Sequence, residues 1–140
     1  MKYKVKNISG KRVSFDFDGT LADDFDDTPN SQKDEVQDIC KQLIEMGNQV
    51  YLVTKRYSPA NSSLGKMNEH LDVFEMASKL NIPRENVVFT NRELKAETLI
   101  KMNIDLHFEN SDFELNYLNT FKNNVNIVLI TDSYWRDMVY

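Results

Sequence analysis

Five short apolar runs, separated by stretches with helical periodicity, constrain this chain more than any single residue does. The runs fall at residues 12–16, 49–54, 86–89, 105–108 and 126–130. The first alternates Val13, Phe15 and Phe17, and the last is almost wholly apolar, as a strand covered on both faces would be. After Pro29-Asn30-Ser31 come Asp34 and Glu35, then Val36, Ile39, Cys40, Leu43 and Ile44 at helical spacing, with Gly47 past the end. Leu64, Met67, Leu71, Phe74 and Ala77 predict a second helix with a core-facing stripe. Thr90 and Glu93 read as a capping box ahead of a third helix carrying Leu94, Ala96 and Leu99. Phe113, Tyr117, Leu118 and Phe121 mark a fourth. Strands alternating with helices predict a three-layer α/β domain, Rossmann-like, around a mainly parallel five-stranded sheet. The 140 residues, 1–140, suffice for one such domain and one core. The aromatic tail, 131–140, is assigned to no element.

Bulk composition excludes several classes of function. The net charge of −5 supplies no basic field, so no strong bulk binding of nucleic acid is expected. A single cysteine, Cys40, excludes an internal disulfide framework and a Cys-rich zinc site; its apolar neighbours make it a core residue. Residues 1–12 are polar and Lys-rich without an apolar signal core, and no run reaches transmembrane length. The expected setting is a reducing cytoplasm with no membrane partner. Nothing in the sequence specifies an oligomeric state.

Chemistry concentrates at the carboxyl ends of the predicted strands, where parallel α/β sheets meet their ligands. Asp16 and Asp18 stand one residue apart as the first run ends, so strand alternation points them roughly the same way. Two carboxylates held close repel, and a cation relieves that. Gly19 permits a sharp turn, and the Thr20 hydroxyl can tie that turn to its own backbone. Thr54, Glu109 and Asn110 end other strands, Lys55 and Arg56 follow Thr54, and Lys95 lies early on a helix.

Asp16-Phe17-Asp18-Gly19-Thr20-Leu21 resembles the first motif of the haloacid-dehalogenase (HAD) superfamily. Thr54, after Tyr51-Leu52-Val53, is similar to the second motif, and Lys95, in Arg92-Glu93-Leu94-Lys95-Ala96, to the third. The stretch from Asp105 through Glu109-Asn110 to Asp112 resembles the acidic fourth. The four occur in the family's order over about residues 13–130. The resemblance implies a small, capless HAD phosphatase, a Mg²⁺-dependent phosphomonoester hydrolase. Asp16 would attack phosphorus to give an aspartyl-phosphate, with Asp18 as acid and then base. Thr54 would bond a phosphoryl oxygen, and Lys95 would neutralise developing charge. Mg²⁺ would sit on Asp16, the Asp18 main-chain carbonyl and Glu109. Gly19, Thr20, Lys55, Arg56 and Asn110 would line the substrate side.

The family places aspartate in its fourth motif, whereas this chain has Glu109-Asn110, with Asp112 as an alternative ligand. Residues 21–48 and 55–85 leave no room for a cap, so the site is expected to be open. An open site suits a large substrate, such as a phosphorylated polymer end or protein, or a lid supplied by a partner; the partner expected in general is a phosphorylated substrate, small molecule or polymer end. Thr54-Lys55-Arg56 is similar to the second motif of polynucleotide-end phosphatases, which points to a nucleotide or nucleic-acid end. Asp23, Asp24, Asp26 and Asp27 are read as a solvated loop, His107 as packed in a strand, and His70 as exposed. The Met and Phe stripes are read as core. Two other functions fit parts of the same pattern. Glu109-Asn110 motivates a catalytically weak binding module on the same fold. Acids, a Thr and a Lys at strand ends also suit a phosphoacceptor receiver-like signalling domain, although Val88-Phe89-Thr90-Asn91 puts no aspartate at the end of the third strand.

Overall fold

The structure, a computed structural model, describes residues 3–140. Every predicted run forms a strand: β1 (Arg12–Phe15), β2 (Gln49–Thr54), β3 (Val87–Phe89), β4 (Leu106–Glu109) and β5 (Asn126–Leu129). All adjacent pairs are parallel, and the sheet order is β3-β2-β1-β4-β5. Helices α1 (Lys33–Glu45), α2 (Leu71–Lys79), α3 (Ala96–Lys101), α4 (Asp112–Leu118) and α5 (Trp135–Val139) cover both faces. The result is a three-layer, Rossmann-like α/β fold without a cap. Among the described residues no helix is long and apolar enough to cross a membrane.

Strand alternation decides which residues meet which layer. Val13 and Phe15 of β1, Val50 and Leu52 of β2, and Leu106 and Phe108 of β4 join the core built with α1, α2 and α5. Phe15 and Phe108 stack there with ring centroids 4.6 Å apart. On the opposite face, Val53 packs with Leu99 of α3, and Ile127 of β5 with Leu118 of α4. The two central strands depart from this pattern. Their positions on the α3–α4 face are Ser14 and Asp16 on β1 and just beyond it, and His107 and Glu109 on β4, all buried.

Other elements differ from the sequence reading. The second helix does not start at Leu64: Pro59–Leu64 forms a 3-10 turn, and Asn68 takes a φ of 53°, which an α-helix cannot continue through. Leu64, Met67 and Leu71 are therefore 65%, 88% and 51% exposed instead of core. No capping box forms at Thr90. Its hydroxyl donates to the Glu93 carbonyl, and positive φ at Asn91 and Arg92 delays α3 to Ala96, leaving Leu94 outside the helix. On α4 the inward position goes to Glu114, and Phe113 faces solvent. His70 is half-buried, edge-on to Phe74, instead of exposed. In the tail, Trp135 is buried and donates its indole N–H to Gln32 at 2.6 Å, while Tyr134 is exposed. Cys40 is core as expected, and burial pushes its thiol up to about 12.

Candidate active site

From β1 the chain winds outward through α1 and β2, then α2 and β3, before crossing to β4 on the other flank of β1. The winding reverses between β1 and β4, and at such a switch point the carboxyl ends of two strands open a crevice. Asp16 follows β1 and Glu109 ends β4 at this point. Crossover helix α3 starts above it, with Lys95 as its N-terminal flanking residue.

These three side chains form one buried cluster. Lys95 Nζ donates to Asp16 Oδ1 at 2.6 Å and to Glu109 Oε1 at 2.8 Å. Thr20 donates its hydroxyl to the other Asp16 oxygen at 3.1 Å. Glu109 also meets His107 Nε2 at 2.8 Å, and its second oxygen accepts the Asn110 and Ser111 N–H groups, each at 3.2 Å. Four donors fill the acceptor capacity of a carboxylate. The two acids therefore divide their ionisation unequally. Burial and the charge of Glu109 push the Asp16 carboxyl well up, against the pull of Lys95. Burial also opposes ionisation of Glu109, but the Lys95 ammonium and the His107 N–H outweigh it and hold that carboxyl well below the usual range. One ammonium serves two buried carboxylates, and the Asp16 side is left short of positive charge.

Glu114 fixes where Lys95 starts. Its Oε1 accepts the Lys95 backbone N–H at 2.8 Å, while its Oε2 is buried with no hydrogen-bond partner among the described residues. Burial pushes this carboxyl up.

A cleft of about 260 Å³ opens above the cluster, with Lys55, Arg92, Phe25 and Asn110 in its walls. A larger cleft of about 350 Å³ lies beside the acidic loop, lined by Asp23, Asp27, Glu75 and Lys79 among others, but it contains none of Asp16, Lys95 or Glu109. Gly19 shapes the rim of the first cleft. Its φ is 74°, and a Cβ there would overlap Asn110 Nδ2 and Asp24 Oδ1. Asn110 donates to that Asp24 oxygen at 3.3 Å.

Beside this cleft, Arg56 grips Asp18 in a two-pronged pair, Nε to Oδ2 at 3.0 Å and Nη2 to Oδ1 at 2.7 Å. Its remaining Nη1 donates to Asp72 and to the Glu69 carbonyl, both at 2.6 Å. Glu69 clamps the rim from below. It accepts the Tyr57 and Lys66 N–H groups and both Arg92 Nη groups. Burial opposes its ionisation, yet these donors lower the carboxyl to about 2.

The structure thus gathers Asp16, Asp18, Lys55, Arg56, Lys95, Glu109 and Asn110 around one cleft. It keeps others out. Thr54 is wholly buried, with its hydroxyl accepting the Arg56 N–H at 3.3 Å, so it caps the turn after β2. The Thr20 hydroxyl serves Asp16 instead of its own backbone. Asp112 is exposed on α4 and lies outside the cleft wall. Arg56 has its donors taken within the protein, in place of the free phosphate contact read from the sequence. The acidic loop binds itself, Asp23 to Asn30 and Lys33 and Asp26 to Thr28, with only Asp24 reaching this cleft. Ser14, His107, Glu114 and Glu69 were absent from the sequence-derived site. For the first two a signal existed: Ser14 and His107 stand two residues before Asp16 and Glu109, on the same strand face.

A cation site here would draw on oxygen alone, from Asp16, Glu109 and main-chain carbonyls, the donor type that hard divalent ions take. The shortage of positive charge at Asp16 fits such an ion. The filled acceptor positions of Glu109 make it compete with protein donors there, and among the described residues no group of three or more His, Cys, Asp or Glu side chains is arranged to hold a metal. Compared with known proteins, the chain matches no protein-family model and no curated protein sequence.

Proposed function

We propose that this chain is a phosphomonoester hydrolase of the haloacid-dehalogenase type, with Asp16 as nucleophile. The observation that carries the reading is the Asp16–Lys95–Glu109 cluster at the switch point, with Lys95 Nζ 2.6 Å from the Asp16 carboxylate. A carboxylate attacks phosphorus only when ionised and only where positive charge receives the phosphoryl oxygens. In the first step an Asp16 oxygen bonds to phosphorus as the bond to the leaving oxygen breaks. Asp18 gives that oxygen a proton, which requires Arg56 to release its grip on the carboxylate. Asp18 then takes a proton from water as the water attacks the aspartyl-phosphate, returning Asp16 and freeing phosphate. Lys95 holds charge on the phosphoryl group in both steps. Asp16, the Asp18 carbonyl and Glu109 would hold Mg²⁺, which supplies electrostatic stabilisation of the transferring group when bound. The open cleft, with Lys55 and Arg92 at its walls, favours a large substrate or a polymer-end phosphate such as a nucleotide or nucleic-acid end.

The test is phosphate release from nucleotides, phosphorylated oligonucleotide ends, sugar phosphates and phosphopeptides, with Mg²⁺ and with EDTA. Turnover of one class, dependent on Mg²⁺ and abolished in Asp16→Asn, is the expected result. Unchanged turnover in that variant would refute the mechanism. A second reading, a binding module with little catalysis, is favoured by the saturation of Glu109; it predicts silence across the panel and a very weak Mg²⁺ isotherm. Against the receiver-like alternative stands the strand order, since receiver sheets run 2-1-3-4-5.

A further inference from the structure

We infer that His107 is a positioning residue for this site, bridging the Ser14 hydroxyl at Nδ1 and holding the Glu109 carboxylate through Nε2–H. The turnover part of this inference rests on the phosphatase reading.

The first ground is placement. Ser14 and His107 are register partners on adjacent central strands, both wholly buried, on a face where neighbouring strands present Val53 and Ile127. An apolar pair would fill that space with no polar atoms to satisfy, whereas a buried hydroxyl and imidazole cost stability unless each is bonded. Both are bonded. Ser14 Oγ lies 2.6 Å from Nδ1, and Nε2 lies 2.8 Å from Glu109 Oε1.

The second ground is direction. The other groups on the Glu109 carboxylate, Lys95 Nζ and the Asn110 and Ser111 N–H groups, are all donors, so the carboxylate accepts and Nε2 carries the proton. On its other side the ring meets the Ser14 hydroxyl, 2.6 Å from Nδ1, so both ring nitrogens are tied. The imidazole thereby links the Ser14 hydroxyl on β1 to the Glu109 carboxylate on β4.

The third ground is what Glu109 does next. The oxygen held by His107 is the one that receives Lys95 Nζ, and Lys95 is shared with Asp16. Without the imidazole, Glu109 Oε1 keeps Lys95 as its one partner and shifts about the second oxygen, which the Asn110 and Ser111 N–H groups still hold. Lys95 then redistributes toward Asp16, changing the charge at the nucleophile. His107 thereby governs how one ammonium is divided between two acids, without touching a substrate.

The experiment compares the wild type with His107→Leu and His107→Gln. The Gln amide can donate from nearly the place of Nε2, and Leu cannot. Only two histidines are present, so imidazole ¹⁵N spectra of the wild type resolve each one. A proton on Nε2 is expected for His107, and a ring without one overturns the inference. His107→Leu should lose about 10- to 100-fold in kcat with KM nearly unchanged, and in Mn²⁺ affinity by a similar factor, as for other residues that orient a ligand carboxylate. His107→Gln should recover most of both. Unchanged values in the Leu variant, or a Gln variant as impaired as Leu, overturn the role. Urea unfolding of each variant separates misfolding from mispositioning. A wild type that hydrolyses no phosphate ester refutes the phosphatase reading alone, and the Mn²⁺ comparison then decides for or against His107. A wild type that also binds no Mn²⁺ overturns the positioning role.

Discussion

Replacing Lys95 by Met keeps the reach of the side chain and removes its ammonium. In the native fold Lys95 is 1% exposed and its ammonium meets the carboxylates of Asp16 and Glu109, residues 5% and 1% exposed, so solvent cannot take its place. Deleting one partner of a buried ion pair costs about 3–5 kcal/mol, most of it from the charge left behind. With a urea slope of about 2 kcal/mol per M for a domain of this size, the midpoint should drop by roughly 2 M at pH 7. Trp135 is the only tryptophan and is buried, so its fluorescence reports the transition. The pH dependence supplies the sharper test. The Asp16 carboxyl, already raised above 3.8 by burial and Glu109, rises further once Lys95 is gone. A carboxyl raised in the folded state keeps a proton that the unfolded chain releases, so stability falls as pH climbs above 3.8 toward the folded value. The deficit of Lys95→Met should therefore be largest near neutral pH and narrow toward pH 4. A midpoint shift under about 0.5 M at pH 7, or a deficit that does not narrow in acid, would refute the electrostatic account of the cluster.

Gly19→Ala forces a side chain onto a φ of 74°. Because the atoms it meets are the ends of Asn110 and Asp24, which can swing away, the stability cost is set by the backbone at about 1–2 kcal/mol. If the chain is the phosphatase proposed above, the larger effect should be on turnover, since Asn110 leaves the cleft; full activity in a folded Gly19→Ala protein would show that the rim is not needed. Glu69→Gln turns an amide toward the Tyr57 and Lys66 N–H groups and should cost about 2–3 kcal/mol. Its carboxyl falls from 4.5 to about 2 on folding, so the native contribution is full above pH 4.5 and is lost as pH drops through that interval. Hydrogen exchange at Tyr57 and Lys66 should quicken in the variant, and unchanged protection would remove Glu69 as the clamp.

The sheet was legible because its strands are short apolar runs with a period of two, and the turns between them are punctuated. The Asp16–Lys95–Glu109 cluster was legible because parallel strands deliver their ends to one edge. What escaped was whatever depends on φ or on the third dimension. The stripe through Leu64, Met67 and Leu71 has helical spacing, yet Asn68 adopts a left-handed conformation that periodicity does not register. Arg56 carries a charge that looks available until its guanidinium is seen forked onto Asp18. Glu69 and Glu114 resemble surface acids on helical stretches, and only burial against the Arg92 side chain and the Lys95 amide sets them apart. Ser14 and His107 were within reach of alternation, since a polar residue two places before a functional one shares its face.

The strand order has a consequence for how the chain acquires its charges as it is made. Synthesis runs from the N-terminus, and domains begin to form before the chain is finished. The half-sheet β3-β2-β1 can pair first, with the far edge of β1 unpaired. Asp16 then sits on an open edge in water, where an isolated carboxylate costs little. Lys95, separated from it by 79 positions, emerges before Glu109. By the time β4 zips onto β1 and shuts the cluster away, the cation is already in the chain between the two acids. The same order leaves Val13 and Phe15 beside an unpaired edge until β4 arrives, so the unfinished chain is most prone to self-association in the interval before β4 is made.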